Sequence, residues 1–147
     1  MKNGLENDPL AHRIVPAVVV YLFNQENKIL LMKRKKEPFA GYWETVGGSI
    51  EFQERVIDAA RREVKEETGI DLPIKKLKFA TFHDHIFGNS YHRILFVFGA
   101  KIDSSTNIKL SEHSIYKWFD TNKLPRLIPN HSKLIKLTLT KIKEFNF

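Results

Sequence analysis

The sequence predicts a single domain of the α+β class, on three observations. Runs of β-branched and apolar residues recur through the first two-thirds of the chain, a stretch free of Gly and Pro with helical periodicity interrupts them, and a second amphipathic stretch closes the chain. Residues 14–23 are almost wholly apolar and read as a strand; residues 24–27 form a turn and residues 28–34 return as a second strand. Residues 37–42, with Pro38 and Gly41, form a loop, and residues 43–46 form a short strand leading to Gly47. Residues 54–68 are rich in Ala, Arg, Glu and Lys, and Gly69 supplies a stop just past the last turn, so they form a helix. Two more strands, residues 77–87 and 91–102, flank a turn at Gly88, Asn89 and Ser90, and a further strand spans residues 115–120. Pro125 and Pro129 break the chain before a last helix over residues 132–145, whose apolar side is Leu134, Ile135, Leu137, Leu139 and Ile142.

Composition fits this reading. A chain of 147 residues with 42% hydrophobic content buries about two-thirds of its unfolded surface, so residues 1–147 are expected to make one domain, with residues 1–12 a flexible N-terminus. The absence of cysteine removes disulfides and thiolate metal sites. No leader-like apolar segment opens the chain, and residues 14–23 are too few to span a bilayer, so a soluble cytoplasmic protein without a membrane partner is expected. The net charge of +7 includes the run Lys33, Arg34, Lys35 and Lys36. Lysine is spread along the whole chain, however, and is read as solvated surface that attracts anionic nucleotides rather than as a nucleic-acid interface.

The chemistry is concentrated on the first helix. At about 100° per residue, Val56, Ile57, Ala60 and Val64 share one apolar arc, and Glu63 and Glu67 fall on its edge. Partly buried carboxylates without a counter-charge are costly, so a cation must meet them. Glu63, Glu66 and Glu67 lie three and four residues apart and are expected to gather on one side, where three oxygen donors suit Mg²⁺ or Mn²⁺. Arg62 is placed to pair with Glu66. A solvated acidic helix with an ordinary salt-bridge pattern is the reading that the isolated fragment leaves open.

The longer string over residues 48–70 is more specific. It resembles the Nudix box: a glycine, five residues, a glutamate, seven residues, Arg-Glu, an aliphatic residue, any residue, two glutamates, any residue, a glycine and an aliphatic residue. The matching positions are Gly48, Glu54, Arg62, Glu63, Val64, Glu66, Glu67, Gly69 and Ile70, with no departure. The likeness extends upstream through Trp43, Glu44, Gly47 and Gly48. Two neighbouring positions depart from common family usage, Val46 where many members carry proline and Gln53 where glycine is common. The resemblance implies a Nudix-type α/β/α sandwich with a mixed sheet between helices.

It also implies a reaction: Mg²⁺-dependent attack of water on a pyrophosphate bond of a nucleoside diphosphate linked to a further group. By this likeness Glu63 is the leading candidate for general base, with Glu66 and Arg62 in the catalytic set. Glu63, Glu66, Glu67, the Gly47 carbonyl and Glu112 are the expected metal ligands, Glu112 being equally readable as a loop glutamate. Glu54 either touches metal, pairs with an arginine or favours the helix dipole, and with Gly48 and Gly69 it completes the box's framework. Arg34 and Asn130 are the expected substrate-binding residues; Asn130 either reads a purine edge or caps the last helix. Phe39, Tyr42 and Phe82 are stacking or core aromatics, and His83 and His85 share one strand face, as transition-metal ligands or as surface or substrate-pocket lining. A small nucleotide is the expected partner, and the protein is expected to be a monomer or homodimer. A nucleoside triphosphate, modified or not, cleaved to monophosphate and pyrophosphate is the favoured substrate. ADP-ribose, nucleotide-sugar or dinucleoside polyphosphate hydrolysis and a non-catalytic nucleotide- or RNA-binding module are the alternatives.

Overall fold

The structure, a computed structural model, describes residues 9–144. Its elements run β1 (Ile14–Phe23), β2 (Ile29–Lys33), β3 (Trp43–Glu44), β4 (Val46–Ser49), α1 (Val56–Thr68), β5 (Lys78–Phe87), β6 (Tyr91–Lys101), β7 (Tyr116–Phe119) and α2 (His131–Glu144). Among the described residues these strands form one mixed sheet in which β1 runs parallel to β6 over its full length and the other pairings are antiparallel.

Side-chain alternation along β1 divides the core in two. Val18, Val20 and Leu22 pack with Ala59, Ala60 and Val64 of α1, whereas Ala17, Val19, Tyr21 and Phe23 pack with Leu134, Ile135, Leu139 and Ile142 of α2. The helices therefore cover opposite faces of the sheet, which is the expected α/β/α sandwich.

Three local readings are corrected. The strand expected over residues 43–46 is two strands, because Trp43–Glu44 pairs with β2 while Val46–Ser49 pairs with β1. Thr45 stands at the switch, its hydroxyl donating to the Val20 carbonyl at 2.7 Å. Gly47 and Gly48 accordingly belong to a strand rather than to a loop. The helix expected from residue 54 starts at Val56, with Arg55 extended at the cap, so Glu54 precedes it and Asp58 is its first-turn acid. The second helix starts one residue early, at His131, and Phe145, its expected end, lies outside the described residues. Residues 1–8 of the expected N-terminal tail also lie outside; residues 9–12 form a turn in which the His12 N–H donates to the Ser90 carbonyl at 2.9 Å.

The position of α2 sets the position of the cleft. At its first residue, His131 Nδ1 is 2.8 Å from the Tyr21 hydroxyl, so the helix covers the half of the sheet beyond Tyr21. On the near side of Tyr21, Ala17, Val19 and Leu95, at the edge of that packing, floor an open cleft of about 300 Å³.

Seating of α2 depends on Gly99 of β6, where a Cβ would overlap the side chains of Ile142 and Thr138. Thr138 cannot swing aside without losing its 2.7 Å hydrogen bond to the Leu134 carbonyl. Gly99→Ala should therefore lower the unfolding free energy in urea by about 1–3 kcal/mol; an unchanged midpoint and slope would contradict this packing.

Candidate active site

The site is built where α1 crosses β4. Glycine is required at the crossing, because a Cβ on Gly48 would lie inside the Glu63 carboxylate, and this close approach buries Glu63 to 9% exposure. Arg62 then acts as a hub. Its Nε and Nη2 donate to the two oxygens of Glu54 at 2.7 and 2.9 Å, Nη1 donates to Glu63 at 2.8 Å and to Glu66 at 3.2 Å, and Nη2 also donates to the Ser49 carbonyl at 3.1 Å. A planar guanidinium has the fork needed for this; a lysine does not. Burial raises the Glu63 pKa, Arg62 opposes that shift, and the charges of Glu66 and Glu54 add to it.

Glu67 is the partly buried acid of the cleft itself. It accepts one hydrogen bond from the Gly47 N–H at 2.9 Å, and burial pushes its pKa up to about 9, with Glu63, Glu44 and Glu112 adding to the shift and the Gly47 bond opposing it. Glu44 behaves oppositely. Burial alone would raise it, but a 2.6 Å hydrogen bond with His113 Nε2 and the Arg34 guanidinium at 3.1 Å hold it below the usual carboxylate range. The cleft thus pairs a clamped, ionised glutamate with one that keeps its proton at neutral pH.

The expected site residues are distributed as follows. Gly47, Gly48, Glu67, Glu112 and Arg34 all line the cleft. Arg34 is fixed there by Nε bonds to the Lys36 and Pro38 carbonyls at 3.0 and 2.7 Å. Glu63 stands behind Gly48, Glu66 shares the Arg62 Nη1 donor with it at 57% exposure, and Glu67 lines the cleft. Glu54 is the partner of Arg62, and Gly69, with φ 76°, closes α1 by donating to the Lys65 carbonyl. Gln53 adopts φ 66°, the left-handed conformation that favours glycine. Asn130 is exposed and is not part of the cleft wall, whereas its neighbours Ile128 and His131 are. Phe39 lines the cleft and packs against Tyr42 and Phe87, while Phe82 is exposed. Sequence reasoning did not assign Glu44, His113 or His131 to the site; His113 and Glu44 are separated by 69 positions, and only the β2–β7 pairing brings them together.

Among the described residues, no three acidic or histidine side chains form a closed cage, since Arg62 ties up Glu54 and Glu63 and draws on Glu66. The donors nevertheless fit a hard divalent cation. They are all oxygen, glycine keeps the crossing beside them open, and one of them, Glu67, is partly buried near other acids with no cationic partner in the hydrogen bonds it makes.

Comparison with known proteins agrees with this geometry. The NUDIX domain model matches residues 13–138. An ADP-ribose pyrophosphatase of Methanocaldococcus jannaschii is 37% identical over 128 residues, which covers 82% of this chain and 72% of that protein. A dihydroneopterin triphosphate diphosphatase of Escherichia coli K12 is 30% identical over 125 residues, covering 77% of this chain and 82% of that protein. The crystal structure of a MutT NUDIX hydrolase from Burkholderia pseudomallei superposes with a TM-score of 0.74 at 28% identity, over 88% of this chain and 98% of that one.

Glu67 links stability to pH. With a folded pKa of about 9 against its usual 4.5, the folded state of EDTA-treated protein holds a proton that the unfolded chain releases, so stability falls as pH rises between those values. One proton corresponds to a slope of about 1.4 kcal/mol per pH unit. Urea unfolding across that range should show this slope in the wild type and its removal in Glu67→Gln; identical slopes would contradict the burial of a neutral Glu67.

Proposed function

The chain belongs to the NUDIX family, and within it we propose a cytoplasmic, Mg²⁺-dependent pyrophosphohydrolase acting on a nucleoside diphosphate linked to a further group, with a nucleoside triphosphate as the favoured form. The observation that carries this reading is Glu67, a partly buried acid facing the cleft beside Gly47, with Glu44 and Glu112 on the same cavity. Glu63, Glu66, Glu67, Glu112 and the Gly47 carbonyl are the candidate ligands for Mg²⁺ or Mn²⁺. When bound, the cation neutralises the diphosphate oxygens and acidifies water.

The remaining work falls to the chain's own groups. Arg62 fixes the rotamers of Glu54 and Glu63 through its fork. Glu63, raised in pKa by burial and held at 2.8 Å by Arg62, takes the proton of the attacking water; the water oxygen bonds to phosphorus and the bridging P–O bond breaks, leaving its electron pair on the departing phosphate. Arg34, on the cleft wall, offers positive charge to the substrate's phosphates. The favoured triphosphate is cleaved to monophosphate and pyrophosphate.

A second reading has its own support. ADP-ribose hydrolysis is suggested by the 37% identity to a protein of that activity, and it uses the same acids on the same bond type.

Glu67→Gln should reduce kcat/KM by at least about a hundredfold while leaving the circular dichroism spectrum unchanged. Product analysis in ¹⁸O-labelled water with GTP, ATP and ADP-ribose identifies the bond cut. Full activity in the variant, or no Mg²⁺-dependent cleavage of any pyrophosphate substrate by the wild type, would overturn the assignment.

A further inference from the structure

The wall of the cleft facing away from the acids is contributed by β5 and β6, through His85, Phe87, Tyr91 and Arg93. His85 is buried, at 6% exposure, and its Nδ1 has no hydrogen-bond partner among the described residues. Its ring meets Tyr91 edge to face at 5.6 Å, and His131 and His83 at 6.1 and 6.2 Å. Burial, with the charges of His83 and Arg93, lowers its pKa, so the ring is neutral at physiological pH and offers one donor and one acceptor. Nδ1 is shut off from the cleft, so the ring, which lies on the cleft wall, meets what enters through its other nitrogen, Nε2. Phe39 supplies an apolar face on the same cavity, seated on Phe87 at 5.2 Å. An apolar ring face beside an imidazole nitrogen is the recognition chemistry of a planar, polar-edged heterocycle.

We propose that His85 is a specificity-determining residue that reads the edge of the substrate's heterocycle, placing base preference on β5 rather than at Asn130. The proposal rests on the pyrophosphohydrolase reading above and deepens it. The acids at the β4 crossing hold the phosphate chain, and the β5–β6 wall holds the group attached to it. Asn130, exposed and off the cleft wall, does not take part.

Steady-state kinetics with GTP, ATP and ribose 5-triphosphate, which carries phosphates and no base, tests the assignment. His85→Phe keeps a ring in the wall and removes both nitrogens. It should shrink the ratio of kcat/KM between the better and the poorer nucleotide at least about tenfold, chiefly through KM, with ribose 5-triphosphate turnover within about twofold of wild type. His85→Asn, which keeps a donor and an acceptor, should retain part of the preference, and Asn130→Ala should leave the ratio unchanged. An equal loss on all three substrates, an unaltered ratio in His85→Phe, or a collapsed ratio in Asn130→Ala would overturn the proposal. A second readout needs neither a variant nor turnover: the ¹⁵N imidazole shifts of His85 in the wild type should move on adding α,β-methylene GTP and stay in place on adding tripolyphosphate. Equal shifts with both probes defeat the His85 assignment and leave the hydrolase reading standing. A base-dependent shift in a protein that cleaves no nucleotide defeats the hydrolase reading and leaves His85 standing.

Discussion

Burying a carboxylate among other carboxylates forces a choice between a proton and a cation, and the crossing of α1 over β4 depends on how that choice is made. Glu67 enters the cleft with Glu63, Glu44 and Glu112 close enough to push its pKa upward. Two neighbouring acids have organic counter-charges: Glu63 has Arg62, and Glu44 has Arg34 with His113. Glu67 has one neutral backbone N–H. Without metal it therefore keeps its proton, which makes the set of acids compatible with a folded core, and on the proposed reading a divalent cation would take that proton's place. Glycine at residue 48 serves the same end, since any side chain there would displace Glu63 from the crossing.

The sheet converts this local chemistry into a cleft. Because β1 pairs with β4 over residues 17–20 and meets β2 only at Phe23, the strands that carry the acids' neighbours diverge from the strands that carry the core. The second helix covers the half of that face beyond Tyr21, where its first residue is bonded. The acids Glu44, Glu67 and Glu112, which the proposed function assigns to the phosphate end, therefore lie with Gly47 and Gly48 along one wall, and a wall of histidine, arginine and aromatic residues lies along the other, on β5 and β6. The partition gives a molecule that is charged at one end and planar at the other a single orientation.

Much of this was legible in the sequence, for local reasons. Strand and helix identities followed from residue periodicity, and the acids with their arginine followed from spacing along one helix, which folding leaves intact. What could not be read was set by pairing between distant segments. The division of residues 43–49 into two strands depends on β1 and β2 offering separate edges, and nothing local to those residues encodes it. The clamp of His113 on Glu44, the bond between Tyr21 and His131, and the absence of Asn130 from the cleft wall all arise where β7 and the start of α2 close over the sheet. The signal for the cleft wall was present but mute: His83 and His85 share a strand face, yet only the fold shows that His85 is buried there, on the wall of the cleft.

The central claim is that Glu67 waits in its neutral form for a cation. Calorimetric titration of the protein and a non-hydrolysable nucleotide with Mg²⁺, near neutral pH in buffers of differing ionisation enthalpy, counts the protons exchanged. The account predicts release of close to one proton per site, lost in Glu67→Gln. Binding of Mg²⁺ with no proton released would show that Glu67 is already ionised in the folded protein, and the account would fail.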